Sequence, residues 1–121
     1  MMTEHDIELI DFRVLDLNCH VHPGVGEELQ LSSKSSVSAR TAEPFDGTLY
    51  LNLRMRISGA SEELFLMDIS SETIMKLPEG KTEVTEDDAP ACIAVAQKEL
   101  YRAIKEISTS MGINPLDLAA E

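Results

Sequence analysis

Asp88-Ala-Pro-Ala-Cys-Ile-Ala-Val-Ala-Gln-Lys-Glu-Leu-Tyr-Arg-Ala-Ile-Lys-Glu-Ile-Ser-Thr-Ser-Met-Gly112 is the stretch that decides the fold. Its apolar residues recur at steps of three and four, which places them on one face of a helix. They are Ile93, Ala96, Leu100, Ala103, Ile104, Ile107 and Met111. Asp88 is suited to cap the first N–H groups, and Pro90 fits the first turn. Gly112 and Pro115 predict where the helix ends. A long helix with one apolar face needs a matching surface.

The chain before this helix supplies strands. The clearest one alternates, with Leu49, Leu51, Leu53, Met55 and Ile57 on one face and polar residues on the other. Ser58-Gly-Ala-Ser61 predicts a hairpin turn, and residues 62–77 predict its partner strand. Near its start this partner strand is apolar at both even-numbered and odd-numbered positions, where Leu64 and Leu66 alternate with Phe65 and Met67. One face therefore packs against the helix, while the other meets a second subunit or forms a binding surface.

Two further strands are predicted upstream. Residues 7–22 alternate, but the phase slips between Val14 and Leu15, which indicates a β-bulge or else two short strands with a bend. Apolar residues of odd parity run from Leu29 to Ala39 across the Ser-rich residues 32–38, which predicts a half-exposed strand, with a linker as the alternative. The order predicts a single α+β domain over residues 1–121: a four-stranded antiparallel sheet followed by one long C-terminal helix.

Composition narrows the class of protein. The chain has 121 residues and a net charge of −12, which argues against nucleic-acid binding because that needs a basic surface. No apolar run approaches the length of a membrane span, so no membrane contact is predicted. The N-terminus lacks the pattern of a secretory signal, and the two cysteines read as reduced thiols, which predicts a cytoplasmic protein.

Cys19-His20-Val21-His22 is the one cluster of metal-ligand types in the sequence. His20 and His22 would leave a strand on one side and Cys19 on the other, and structural zinc wants four ligands. We therefore interpret Cys19–His22 as ordinary residues at the end of a strand, near a turn. The sequence shows no phosphate-binding loop, Ser-His-Asp set or catalytic cysteine motif. We therefore predict no metal, no cofactor, no catalytic residue and no enzymatic activity.

Three segments carry a resemblance to the SecB-like family of export chaperones. They are Ile7-Glu-Leu-Ile-Asp-Phe-Arg-Val-Leu-Asp-Leu, the pair Leu49-Tyr-Leu-Asn-Leu-Arg-Met-Arg-Ile and Leu64-Phe-Leu-Met-Asp-Ile, and the helix exit Met111-Gly-Ile-Asn-Pro-Leu-Asp-Leu118. The resemblance implies a sheet with a long helix, assembled as a dimer or a tetramer. It also implies that non-native polypeptide clients are held in apolar grooves without ATP.

The resemblance and the two-sided apolar strand together suggest which residues bind clients. The predicted client-binding residues are Leu53, Met55, Ile57, Phe65, Met67, Ile69, Ile74 and Met75. For each of them the alternative is a place in the core or in a subunit interface. Leu66 and Asp68 match the positions at which the export chaperone contacts the translocation motor ATPase. The sequence given ends at Glu121, where the export chaperone continues into a second helix, so docking to the motor is left open.

Three functions remain open from the sequence. The first is a cytoplasmic holdase for non-native chains, with a possible link to protein export. The second is a homo-oligomeric SecB-like protein that binds one dedicated partner, such as an antitoxin. The third is an enzyme that binds a small molecule on the same scaffold.

Overall fold

The computed structural model describes residues 2–21, 31–59 and 65–111. The elements follow in the order predicted, with four strands before one helix. They are β1 Glu8–Val21, β2 Ser32–Thr41, β3 Thr48–Ser58, β4 Phe65–Lys76 and α1 Ala89–Ser110, with 3-10 turns at Glu4–Asp6 and Glu86–Asp88. The strands form one antiparallel sheet in the order β1-β4-β3-β2. The predicted α+β architecture is confirmed.

β3 and β4 occupy the centre of the sheet and pair antiparallel along their whole length, from Thr48 opposite Lys76 to Ser58 opposite Leu66. The Gly59 N–H donates to the carbonyl of Phe65 at 3.1 Å, just where the chain turns back. Most of the predicted hairpin turn lies in residues 60–64, outside the described residues. Side chains alternate along both strands, so each strand presents its odd-numbered residues to one face and its even-numbered residues to the other.

Two β-bulges interrupt the pairing of β1 with β4, between Leu9 and Asp11 and between Val14 and Asp16. The second is where the sequence pattern slips, so the predicted bulge is confirmed. An extra residue restores the phase: Val14 lies opposite Ser71 and Leu17 opposite Ile69, both on the same face of the sheet. The bulge therefore lets both halves of a long strand keep an apolar residue on one side.

The Ser-rich segment is a strand and not a linker. β2 pairs with β3 residue for residue, from Ser32 opposite Ser58 to Thr41 opposite Leu49. Every residue of β2 is nevertheless exposed. Backbone pairing with a strongly patterned neighbour, and not burial of its own side chains, therefore holds β2 in the sheet.

α1 packs on the odd-numbered face of β3 and β4 through residues spaced by four. The buried positions of the helix are Cys92, Ala96, Leu100, Ile104 and Ser108. They meet the buried residues of β3 and β4 in one core. The predicted apolar face is confirmed at its centre, whereas Met111 at its end is 39% exposed. We call the side of the sheet that bears α1 the helix face, and the even-numbered side the open face.

The start of α1 differs from the prediction in one respect. Pro90 lies in the first turn as expected, but the Asp88 side chain makes no capping bond to the helix. Its carboxylate accepts instead from Lys81 Nζ at 2.7 Å and from the backbone and side chain of Thr85 at 3.0 and 3.1 Å. The Lys81 ammonium, followed by the Thr85 N–H, holds the pKa of Asp88 below its usual value. Gly112 and Pro115 lie outside the described residues.

Replacing Leu100 by alanine tests the helix–sheet contact. Leu100 is fully buried, so Leu100→Ala should lower the free energy of unfolding in urea by about 2–5 kcal/mol. Glu106 is exposed on the same helix, and Glu106→Ala should change it by less than about 0.5 kcal/mol. Equal unfolding midpoints for the two variants would contradict the packing described here.

Candidate functional site

Most of the predicted client-binding residues lie in the core beneath α1. Leu53, Met55, Ile57, Phe65, Met67, Ile69 and Met75 are all between 0% and 4% exposed. Ile74 is partly buried and has the parity of the open face. While α1 is packed on the sheet, the seven buried side chains have no surface to offer a ligand. Their role in client binding stays a prediction, and it would require α1 to move.

Exposed apolar residues lie beside the helix, because α1 is narrower than the sheet. Four strands about 4.8 Å apart span more than the roughly 10 Å diameter of one helix. α1 therefore packs mainly on β3 and β4, and several helix-face side chains of both edge strands stay exposed. On β1 the side chains of Leu9, Val14 and Leu17 are 40–41% exposed, and we call them the β1 strip. On β2 the corresponding residue is Val37, which is 47% exposed.

The far end of the β1 strip continues onto the end of the helix. Cys19 follows Leu17 on the same face, opposite Met67, and its Sγ lies 3.4 Å from Met111 Sδ. Burial raises the pKa of the Cys19 thiol, so it is a neutral, polarisable contact at neutral pH. Aliphatic and sulfur side chains therefore line one continuous edge of the helix face. Sequence reasoning missed these residues as a binding surface. The predicted slip after Val14 does bring Leu17 and Cys19 onto the face of Val14, but the alternation placed Ile10 there instead of Leu9, because it missed the first bulge.

The open face is charged, and its charges are segregated by strand. On this face all charged residues of β2 and β3 are basic: Lys34, Arg40, Arg54 and Arg56. β4 contributes the acids Asp68 and Glu72. Glu72 Oε2 lies 3.5 Å from Arg40 Nη2, and its Oε1 lies 3.9 Å from Arg13 Nε on β1. Ion pairs thus connect all of the strands across this face.

Asp68 is the best-connected acid of the open face. Its carboxylate accepts from Arg54 Nε at 2.9 Å and Nη2 at 2.7 Å, and from Arg56 Nη1 at 3.1 Å. The hydrogen bonds from Arg54 are the main reason that the pKa of Asp68 lies below its usual value. Leu66 and Asp68 do share the open face, as predicted for motor contacts, but the Asp68 side chain is only 13% exposed. A partner would have to share this carboxylate with two guanidinium groups, so their role stays a prediction.

A shallow cavity of about 440 Å³ crosses the middle of the sheet. Most of its lining residues, including Asn52, Arg54 and Ser70, have the parity of the open face, which places it there. Short serine side chains on β2 and β4 create the depression, between Leu15, Asn52 and Arg54. The side-chain oxygen of Asn52 is buried and makes no hydrogen bond in the described structure. Leu15, Val37 and Leu53 share its lining with these polar residues.

The Cys19–His22 segment shows no metal-binding geometry in the described residues. Cys19 pairs with Met67 and His20 with Leu66, so their side chains leave on opposite faces. His22 lies outside the described residues. Within the described ranges, no group of three or more His, Cys, Asp or Glu residues is placed to hold a metal ion. The described part of the chain also contains no helix with the length and apolar character needed to cross a membrane.

Comparisons with known proteins agree with the fold. No model of a known protein family matches the sequence, and no curated protein matches it. A solved structure that matches is the SecB-like chaperone Rv1957 of Mycobacterium tuberculosis, in complex with a ChAD peptide from the antitoxin HigA1 (Rv1956). The TM-score is 0.65 at 14% sequence identity, over 94% of this chain and 86% of that chain. The chain therefore has a SecB-like fold, as the sequence resemblance predicted.

The two cysteines should differ in reactivity. Burial, reinforced by the nearby Asp88 carboxylate, raises the pKa of Cys92 to about 11, so its thiol is protonated at pH 8. Cys19 is only partly buried. A thiol reagent at pH 8 should therefore modify Cys19 in the native protein and reach Cys92 only after unfolding. Native Cys19→Ser should show almost no fast labelling; rapid labelling of that variant would contradict the burial of Cys92.

Protonation of Asp68 should weaken the fold at low pH. The pKa of Asp68 is lower in the folded protein than in the unfolded chain, where it is about 4. The ionised carboxylate therefore stabilises the fold fully at pH values above the unfolded-state pKa. This stabilisation is lost as the pH falls through the folded-state pKa. Asp68→Asn should reduce the loss of unfolding free energy between about pH 5 and pH 2, measured with urea. Asp87 is exposed, and Asp87→Asn is the control for the loss of one negative charge. Parallel profiles for wild type and Asp68→Asn would contradict this account.

Proposed function

We propose that this protein is an ATP-independent holdase that binds non-native polypeptide segments on the helix face. The observation that carries the proposal is the exposed apolar surface beside α1. Leu9, Val14 and Leu17 stand in one row on β1, at 40–41% exposure. A row of aliphatic side chains accepts apolar side chains of an extended chain without requiring a fixed sequence.

The energetics of such a surface suit reversible holding. Complete burial of an exposed leucine or valine contributes about 1.5–3 kcal/mol, and these side chains are already more than half buried. Each contact therefore adds about 1 kcal/mol or less, and several must act together. Binding that is spread over many weak contacts releases a client without nucleotide hydrolysis. We accordingly propose a binding protein with no catalytic step.

Self-association belongs to the same proposal. A second copy of the chain covers apolar surface by the same chemistry as a client, so we propose a dimer or tetramer in which part of the strip stays accessible. Light scattering measures the assembly directly. A link to protein export would use the open face, where Leu66 and Asp68 lie, and binding of the purified translocation ATPase tests it.

A dedicated partner is the second candidate function. The observation that favours it is the bound antitoxin peptide in the matching Rv1957 structure. A holdase suppresses aggregation of several unrelated denatured proteins, whereas a dedicated chaperone protects one partner. Aggregation assays with a panel of clients, beside a test of any antitoxin encoded with this protein, distinguish the two functions.

A matched pair of leucines on β1 tests the binding surface. Leu17 is 41% exposed on the helix face, and Leu15 is 53% exposed and lines the cavity of the open face. Leu17→Ser should weaken binding of a denatured client by about fivefold, since about 1 kcal/mol of apolar contact is lost. Leu15→Ser should leave it unchanged. Fluorescence anisotropy with a labelled unfolded client measures both affinities.

Stability must be checked alongside affinity, because Leu17 also contributes to the sheet. Urea unfolding of both variants shows whether the folded population is preserved under assay conditions. Equal affinities of Leu17→Ser and Leu15→Ser for the client would overturn the assignment of binding to the β1 strip.

A further inference from the structure

The two edges of the sheet differ in how well they can accept another strand. β1 contains two bulges, which break the regular spacing of its backbone groups. β2 runs from Ser32 to Thr41 in unbroken register with β3, and it contains neither proline nor glycine. β2 is the last strand of its sheet, so its outer N–H and C=O groups have no strand partner among the described residues. A regular exposed edge of ten residues is a template for a further strand.

Three side chains give this edge a chemical signature. Lys34 and Arg40 lie on the open face, opposite Arg56 and Tyr50 of β3. Val37 lies midway between them on the helix face, opposite Leu53, and is 47% exposed. The order along the edge is therefore cation, apolar residue, cation, each three residues from the next. Neither β2 nor β3 contains an acidic residue, although the chain as a whole carries a net charge of −12.

Both cations are available to a ligand. The Arg40 guanidinium lies 4.2 Å from the centre of the Tyr50 ring and 3.5 Å from Glu72, yet its side chain is 64% exposed. These contacts fix its position while leaving donors free for a second carboxylate. The Lys34 ammonium makes no hydrogen bond or ion pair with the described residues. Its neighbour Arg56 is drawn towards Asp68, at 3.1 Å, and away from the edge.

We propose that β2 accepts an extended acidic polypeptide segment as a fifth strand. The segment carries an apolar residue opposite Val37 and a carboxylate three residues away on each side, opposite Lys34 and Arg40. Since this pattern is symmetric, it fits a parallel or an antiparallel strand. Backbone hydrogen bonds supply affinity, and the alternating side chains supply selectivity. The inference rests on the proposed polypeptide-binding function and names the kind of segment that is recognised.

The acidity of the remaining molecule strengthens the selectivity. An acidic segment is attracted by the cations of β2 and β3 and repelled by the surplus of carboxylates elsewhere, so it is directed to this edge. A basic segment is repelled by the cations of β2 and β3 and attracted to the acidic remainder of the molecule. The β1 strip, in contrast, selects for apolar character alone, so the two surfaces recognise different parts of a client.

Synthetic peptides test strand addition directly. The probe is a labelled peptide of threonines with a central valine and a glutamate three residues before and after it; the control replaces both glutamates by lysine. The glutamate peptide should bind about tenfold more tightly. In a further pair, alternate backbone nitrogens are methylated, at odd positions in one peptide and at even positions in the other. Only one of these two should lose binding, because alternate N–H groups of an added strand face β2.

Charge reversal on the protein completes the test. The double variant Lys34→Glu with Arg40→Glu should prefer the lysine peptide. The matched control is Lys98→Glu with Arg102→Glu on α1, which changes the net charge equally at side chains that are 64% and 63% exposed. The control should keep the wild-type preference for glutamate. Urea unfolding verifies that both double variants are folded.

Three results would overturn the inference. They are equal affinity of the two peptides, an equal effect of both methylation patterns, and a β2-dependent dimer that Val37→Lys dissociates. In each case the Leu17 dependence of unfolded-client binding would still stand, so the proposed holdase function would survive. If the wild-type protein binds no unfolded client but does bind the glutamate peptide, the proposed holdase function is wrong and the protein is a peptide-binding protein.

Discussion

The contact between one helix and two strands is the constraint on which the structure depends. Residues of α1 spaced by four, from Cys92 to Ser108, meet the odd-numbered side chains of β3 and β4. Almost all fully buried apolar side chains of the described residues belong to this contact. The diameter of a single helix is smaller than the width of a four-stranded sheet. The apolar residues of the edge strands are consequently left at the surface, and the proposed function uses them.

Electrostatics organise the other side of the sheet. Arg54 and Arg56 converge on Asp68, and Arg13 and Arg40 converge on Glu72, so acids of β4 tie together strands on both sides. Exposed pairs of this kind contribute little individually, but they fix the positions of side chains on a face that has no covering layer. The same arrangement leaves the outer edge of β2 basic in a strongly acidic molecule. The exposed apolar strip of β1 and the clustered charges therefore lie on different faces of one sheet.

The fold likeness bears on function only through its physical features. At 14% identity, the matching chaperone shares the architecture and few of the side chains. The aliphatic strip on β1 and the basic edge on β2 are formed by this chain's own residues. They agree with a polypeptide ligand because both surfaces are elongated and follow strands. The shallow cavity beside Asn52 is the weaker candidate for the main site, because short serines form much of its wall and few polar groups converge in it.

The sequence by itself determined the order of elements, the amphipathic helix and the parity of the central strands β3 and β4. Alternation from Leu49 to Ile57 and the slip at Val14 report local periods of two, and these survive in any arrangement of the strands. The strand character of β2 was harder to predict, because its serines bury nothing and its pairing with β3 is a long-range contact. Only the tertiary structure decided which apolar residues are accessible. Met67 and Leu17 are both apolar strand residues on the helix face, but α1 covers Met67 and leaves Leu17 exposed. Periodicity specifies the face of a side chain, whereas the width and position of the covering helix decide whether a ligand can reach it.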